Sequence, residues 1–142
     1  MTLKEIAELN KKEKSGFKQS GILLQHWLHE QLPMLSKYPE ASKWDFHYKG
    51  KEIDVKGCHQ SKYKGNIFIE TVQNTRIGSI PSHMKDFDVF FIYVDYDTAE
   101  RFLVNWKKLY SKIKDYPQIR GGYDALGFKV CITDHSDCIV TI

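Results

Sequence analysis

Leu3, Ile6, Ala7 and Leu9 recur at helical spacing among lysines and glutamates, which predicts a short amphipathic helix ended by Ser15-Gly16. Residues 1–16 thus read as an N-terminal arm that docks on the body of the protein or reaches a partner chain. Between Gly21 and Lys37, Leu24, Leu28, Leu32 and Leu35 fall on one stripe, flanked by Leu23, Trp27 and Met34. That stripe predicts a core-facing helix, with Pro33 straining its last turn. The period then drops to two. Trp44, Phe46 and Tyr48 take the even positions of one run, Ile53 and Val55 the odd positions of the next, and only Lys49-Gly50 lies between them. Two alternating runs separated by two such residues predict a tight β-hairpin.

After a polar loop from His59 to Gly65, the run 66–72 is apolar on both faces apart from Glu70, which suggests an interior strand. Residues 74–85 read as a loop with at most one helical turn. The run 88–94 is the most apolar in the chain and predicts a buried central strand, with Arg101 to Val104 as a shorter strand beside it. Asn105 is placed to cap a helix carrying Trp106, Leu109, Tyr110 and Ile113 inward. Phe128–Thr133 and Cys138–Ile142 predict a closing hairpin around residues 134–137. Helix, three strands, connection, buried strand, helix and hairpin together define a mixed α/β domain over residues 17–142.

Length and composition narrow the picture without deciding it. The 142 residues suit one domain, and 42% hydrophobic content is too high for a disordered chain. No apolar run approaches the roughly 20 residues needed to span a bilayer. The charged N-terminus does not resemble a signal peptide, and three scattered cysteines (Cys58, Cys131, Cys138) make no disulfide framework, so a cytoplasmic location is expected. The net charge of +3 is small, but its distribution is not even. Lys43, Lys49, Lys51, Lys56, Lys62 and Lys64 surround the hairpin, and a second basic cluster spans residues 101–120.

The hairpin carries the candidate chemistry. With Lys49 and Gly50 as the turn, facing residues sum to 99, so Asp45 opposes Asp54 with Cβ atoms about 4.5–5.5 Å apart. Like charges in that position are destabilising and call for a cation. Lys56, two residues along the same face, is one, and a divalent metal is another. Two carboxylates and a lysine suit Mg²⁺-dependent phosphodiester hydrolysis, because Mg²⁺ takes one or two carboxylates and completes its shell with water and phosphate oxygens. A half-exposed strand also alternates apolar and charged residues for no functional reason, so the same spacing fits a merely solvated hairpin face.

Asp45, the short hairpin and Asp54-Val55-Lys56 resemble the signature of the PD-(D/E)XK nuclease superfamily, in which an aspartate opens one strand and an acidic-x-Lys triplet lies on the next. Gly65-Asn66-Ile67-Phe68-Ile69-Glu70 after the lysine is similar to small phage-type endonucleases, and the size is similar to that of Holliday-junction resolvases. The resemblance covers roughly residues 20–95, and Trp44 stands where the family name has proline. It implies a restriction-endonuclease-like αβββαβ core with a mixed central sheet, extended by a C-terminal helix and hairpin. It also implies a Mg²⁺-dependent DNA endonuclease, with Mn²⁺ able to substitute, acting on branched DNA as a homodimer. If the protein is phage-encoded, it would work in the host cytoplasm. In that reading Asp45 and Asp54 hold the metal, the Val55 carbonyl is a further ligand and Lys56 orients the attacking water. Glu30 matches the family's helix glutamate, though it also fits a solvated residue near His26. Glu70 either reaches the metal or pairs with a buried cation. Lys49, Lys51, Lys62 and Lys64 would contact DNA phosphates.

Other motifs offer less. His26 and His29 stand one helical turn apart but lack further ligands, and Cys131, His135 and Cys138 lack the paired half of a zinc site. There is no phosphate-binding glycine loop or nucleophile elbow, so no nucleotide cofactor is expected. The competing functional class is a non-catalytic nucleic-acid- or protein-binding module, such as a phage accessory or anti-defence factor, on the same scaffold.

Overall fold

A computed structural model describes residues 1–13, 19–37, 45–72, 89–121 and 126–142. The N-terminal helix α1 (Leu3–Lys12) starts in a reciprocal cap: Glu5 N–H donates to Thr2 Oγ1 at 3.2 Å, and Thr2 N–H donates to Glu5 Oε1 at 3.1 Å. Its apolar stripe of Leu3, Ile6 and Ala7 is buried, and α1 packs on helix α2 (Gln19–Gln31). Full burial of Ile6 contributes about 1.5–3 kcal/mol. The Glu13 carboxylate ties the two helices by accepting the first N–H groups of α2, Gln19 at 2.6 Å and Ser20 at 3.0 Å. The arm is therefore docked on its own domain, and its apolar face is not free to serve as a dimer interface.

α2 ends earlier than its leucine stripe suggests. Pro33 has no N–H to donate and its ring blocks the preceding turn, so the chain leaves the helix after Gln31 and turns. Ser36–Lys37 then forms β1, an edge strand paired antiparallel with β2 (Phe46–Tyr48). The hairpin of β2 and β3 (Lys51–Cys58) has the expected register, with Phe46 facing Ile53, His47 facing Glu52 and Tyr48 facing Lys51. Lys49 and Gly50 adopt φ values of 48° and 78°, the paired positive values of a turn whose twist matches the strands. Lys43 and Trp44 lie outside the described residues, as does the loop expected at 74–85. The polar loop after β3 winds into a single short helix, α3 (Gln60–Tyr63).

β3 pairs in parallel with β5 (Val89–Asp95), which pairs antiparallel with β6 (Arg101–Asn105). Asn105 caps α4 (Trp106–Ile113) by accepting the Lys108 N–H at 3.2 Å. The strand β4 (Asn66–Val72) does not join this sheet. It pairs antiparallel with β8 (Leu126–Cys131), which also pairs with β7 (Ile119–Arg120), to make a second, three-stranded sheet. Only alternate residues of β4, Ile67 and Ile69, are buried in the core, and Phe68 and Glu70 stay partly exposed, so it is not an interior strand covered on both faces. The expected C-terminal hairpin is likewise absent. A 3₁₀ turn at Thr133–His135 separates β8 from β9 (Ile139–Thr141), which crosses to pair with β6. The larger sheet thus runs β1-β2-β3-β5-β6-β9, in a mixed α/β arrangement of parallel and antiparallel strands with helices.

Two cores flank the larger sheet. On one face Phe46, Ile53, Val55, Ile92 and Val94 pack against α1 and α2. On the other, Phe91, Tyr93 and Val104 pack with Trp106 of α4 and with Ile67, Ile69, Phe128 and Val130 of the small sheet. Trp106 stacks edge-on against Phe91 with centroids 5.8 Å apart. Asp54 and Lys56, at alternate positions to Ile53 and Val55, therefore face the small sheet. Among the described residues no helix is long and apolar enough to cross a membrane.

Candidate active site at the end of the hairpin

The β2–β3 ladder stops at Phe46 and Ile53, and Asp45 lies just beyond it. Its N–H still reaches the Ile53 carbonyl at 3.1 Å. Its side chain continues what the backbone leaves off: Oδ2 accepts the Val55 N–H at 2.7 Å, where a longer β2 would have offered a carbonyl. Because N–H and C=O of one strand residue point the same way, the Val55 carbonyl faces this same gap. Oδ1 of Asp45 accepts from Gln25 Nε2 of α2 at 2.7 Å. Asp45 is held from both sides, by the sheet and by the helix.

Asp54 meets Asp45 within hydrogen-bonding contact, which two carboxyl groups tolerate only with a proton or a cation between them. Burial first, then the hydrogen bond and the charge of Asp54, push Asp45 up to about 7, against the opposing pull of the Val55 N–H and Lys56. Lys56 Nζ lies 3.3 Å from Asp54 Oδ2. Burial works against its ammonium, but Asp54, followed by Glu70 and Asp45, more than offsets that and holds its pKa above the ordinary lysine value. The cluster thus holds two carboxyl groups in contact, Asp45 with a proton affinity raised into the neutral range, beside a lysine held in its charged form. The donor set fits Mg²⁺: hard oxygens, with a proton between them that a divalent cation would displace.

The resemblance offered Glu30 for this place, with a solvated residue as the alternative; the α2 side chain that meets Asp45 is Gln25. Glu30 is exposed, whereas Gln25 sits beside the buried Leu24 and Leu28 and points to Asp45. A polar residue bordering the buried stripe was the available signal. Glu70 acts on Lys56, and among the described residues no three His, Cys, Asp or Glu side chains converge as a metal-binding group. Among the described residues the carboxyl groups in mutual contact here are those of Asp45 and Asp54. His26 Nε2 turns to Lys37 Nζ at 2.8 Å and His29 packs on Phe46, so the two imidazoles do not converge. Cys138 is buried as an apolar residue, and Cys131 meets Thr133 Oγ1 at 3.3 Å.

A cleft of about 1330 Å³ opens beside Lys56, between β3 and the small sheet. Lys62, Lys64, Glu70, Arg120 and Lys129 line it. Lys49 and Lys51 do not: Lys49 lies over the Tyr48 ring, and Lys51 lies over Phe90 on the other face of the sheet. The four lysines expected to contact DNA are thus split, two on the cleft and two away from it. Lys129 was missed because it alternates with the core residues Phe128 and Val130 in a run read only for its apolar members. On α4, Lys112 pairs with Asp137 and Lys108 Nζ donates to the Asp137 carbonyl at 3.0 Å, so part of the second basic cluster is engaged in holding α4 near β9. The chain matches no protein-family model and no curated protein.

Proposed function

We propose that this protein is a Mg²⁺-dependent endodeoxyribonuclease of the PD-(D/E)XK type, on a restriction-endonuclease-like variant of the mixed α/β fold, that hydrolyses phosphodiester bonds of branched DNA. The observation that carries this reading is the contact of Asp45 with Asp54 beside Lys56, an arrangement that is costly unless a cation or a proton intervenes. Asp45 and Asp54 would hold the metal, with the Val55 carbonyl facing the same gap, and Mn²⁺ would fit the same oxygens. The bound ion would supply a water of lowered pKa and neutralise charge on the phosphate. Lys56, fixed by Asp54, orients the attacking water and stabilises charge building on the phosphate oxygens. Gln25 keeps Asp45 turned toward the gap. Lys62 and Lys64 bind phosphates along the cleft. Junction resolution requires two sites and hence a homodimer, whose interface must use a surface other than the docked face of α1.

The test is cleavage of a panel of four-way junctions, flaps, nicked, linear and single-stranded DNAs, with and without Mg²⁺ or Mn²⁺. Metal-dependent cutting is expected, abolished by Asp54→Asn and Lys56→Ala with DNA binding retained. Binding without cutting of any substrate would instead favour the non-catalytic binding module.

A further inference from the structure

The cleft has a wall that the cleavage chemistry does not use. On β4, Ile67 and Ile69 turn into the core, which leaves Asn66, Phe68 and Glu70 on the opposite face of the small sheet. In register with them stand Cys131, Lys129 and Gly127 of β8. The Phe68 ring lies across two glycines. A Cβ on Gly121 would come within 2.5 Å of it; one on Gly127 would come within 2.8 Å of it and, closer still, within 2.1 Å of the Ile69 carbonyl oxygen, so the ring, which remains partly exposed, lies over two bare positions. Beside it, Tyr63 is 53% exposed, with Lys62 Nζ 5.4 Å from its ring centre. Lys62, Lys64 and Lys129 are exposed along the same cleft, where Glu70 is the one acid among the described residues that line it. The wall is also fixed relative to the carboxylates. Tyr93, the register partner of Lys56, donates its buried hydroxyl to the Phe68 carbonyl at 3.0 Å.

An exposed aromatic ring on an antiparallel sheet, with lysines on either side, matches the two needs of an unpaired nucleotide. Its base requires a flat apolar surface, and its phosphates require cations. A duplex buries its bases in the stack and cannot use the ring. We infer that this wall binds a single-stranded segment of DNA, one base stacking on Phe68 while Lys129, Lys62 and Lys64 hold the neighbouring phosphates. The inference rests on the nuclease reading only for where the strand lies relative to the scissile bond. Binding itself needs no metal.

The experiment is fluorescence anisotropy of the full chain with labelled oligothymidine of about 15 nucleotides and with a duplex of equal length, in EDTA. Single strand should bind more tightly than duplex. Phe68→Ala should weaken single-strand binding about tenfold and leave duplex binding unchanged, while Phe68→Trp retains it. Lys129→Ala should lower the slope of log affinity against log salt by about 0.7. Thermal melting checks that each variant is folded, and if Phe68→Ala is not, Phe68→Trp and Lys129→Ala decide. The proposal is overturned if folded Phe68→Ala binds the single strand as wild type does, if Lys129→Ala leaves the salt slope unchanged, or if duplex binds as tightly as single strand. Phe68-dependent binding by a protein that cuts nothing would remove the nuclease reading and leave this one standing. Metal-dependent cutting by a protein whose single-strand binding is indifferent to Phe68 would do the reverse.

Discussion

The β3–β5 ribbon carries a pair of aspartates near each end, and the two pairs handle their charge in opposite ways. At the Cys58–Asp95 end, Asp95 is 1% exposed, and its carboxylate accepts the Asp97 N–H and the Thr98 hydroxyl, each at 3.0 Å. Asp97 in turn accepts the Ser61 hydroxyl at 3.1 Å and meets His59 Nδ1 at 3.2 Å. Donors and acceptors match, and the cluster fastens α3 to the turn between β5 and β6. At the Asp54 end, acid faces acid, and one carboxyl must keep a proton that carboxylates ordinarily lose. Burial alone does not separate the two pairs, since the most buried aspartate is the satisfied one. What distinguishes them is whether each acid meets a donor or is left facing another acid.

The largest expected contrast is in cleavage. Asp54→Asn or Lys56→Ala should lower the metal-dependent rate at least about a hundredfold, whereas Asp97→Asn should leave it unchanged, as measured on whichever DNA the wild type cuts. The second contrast is in the pH dependence of folding. Because Asp45 rises from 3.8 to about 7, the folded chain holds that proton more tightly than the unfolded chain does. Its stabilising contribution is complete below the unfolded value and is lost as pH climbs through about 7. Without divalent metal, stability should therefore fall by roughly 2–4 kcal/mol between pH 4 and pH 8, read by denaturant unfolding. Asp54→Asn should flatten that slope, and Mg²⁺ should restore stability at pH 8 but not at pH 5. Third, Asp95→Ala should cost about 1–3 kcal/mol by the same unfolding measurement, because the Asp97 N–H and the Thr98 hydroxyl are left without an acceptor. The smallest effect belongs to Gln25→Ala. Removing a donor from Asp45 should move the midpoint of the pH–rate profile upward by about half a unit while the rate at high pH is retained.

Much of the larger sheet was legible because its signals are local. The switch to period two on either side of Lys49-Gly50 set the hairpin register, the apolar run up to Val94 identified the central strand, and Asn105 marked the start of α4. The facing of Asp45 and Asp54 followed from that register, although Asp45 proves to lie past the last ladder pair and to use its side chain where a strand would use its backbone. What was not legible depends on distant partners. The alternation of β4 and β8 shows that each is a strand, but not that they pair with each other rather than with β3 and β9. Gln25 rather than Glu30 meets Asp45 because the rotation of α2 is set by how α1 and the sheet pack on it, and leucine spacing alone leaves several flanking positions equivalent. The Asp95–Asp97 cluster joins residues 36 to 38 positions apart through a turn that no periodicity reveals.

The pairing of β4 with β8 also orders events in time. The carboxylates and Lys56 come from one hairpin, whose contacts close within a few residues and can form as soon as residue 58 is available. The wall opposite them needs Leu126–Cys131, and closing so long a loop is slow compared with closing a hairpin. During synthesis the two acids and Lys56 can therefore come together while β4 still lacks its partner strand and the cleft still lacks Lys129. A ribosome-bound chain that has not yet emerged past residue 126 would hold the acids and Lys56 in their hairpin, with Phe68 on a strand that has nothing to pair with.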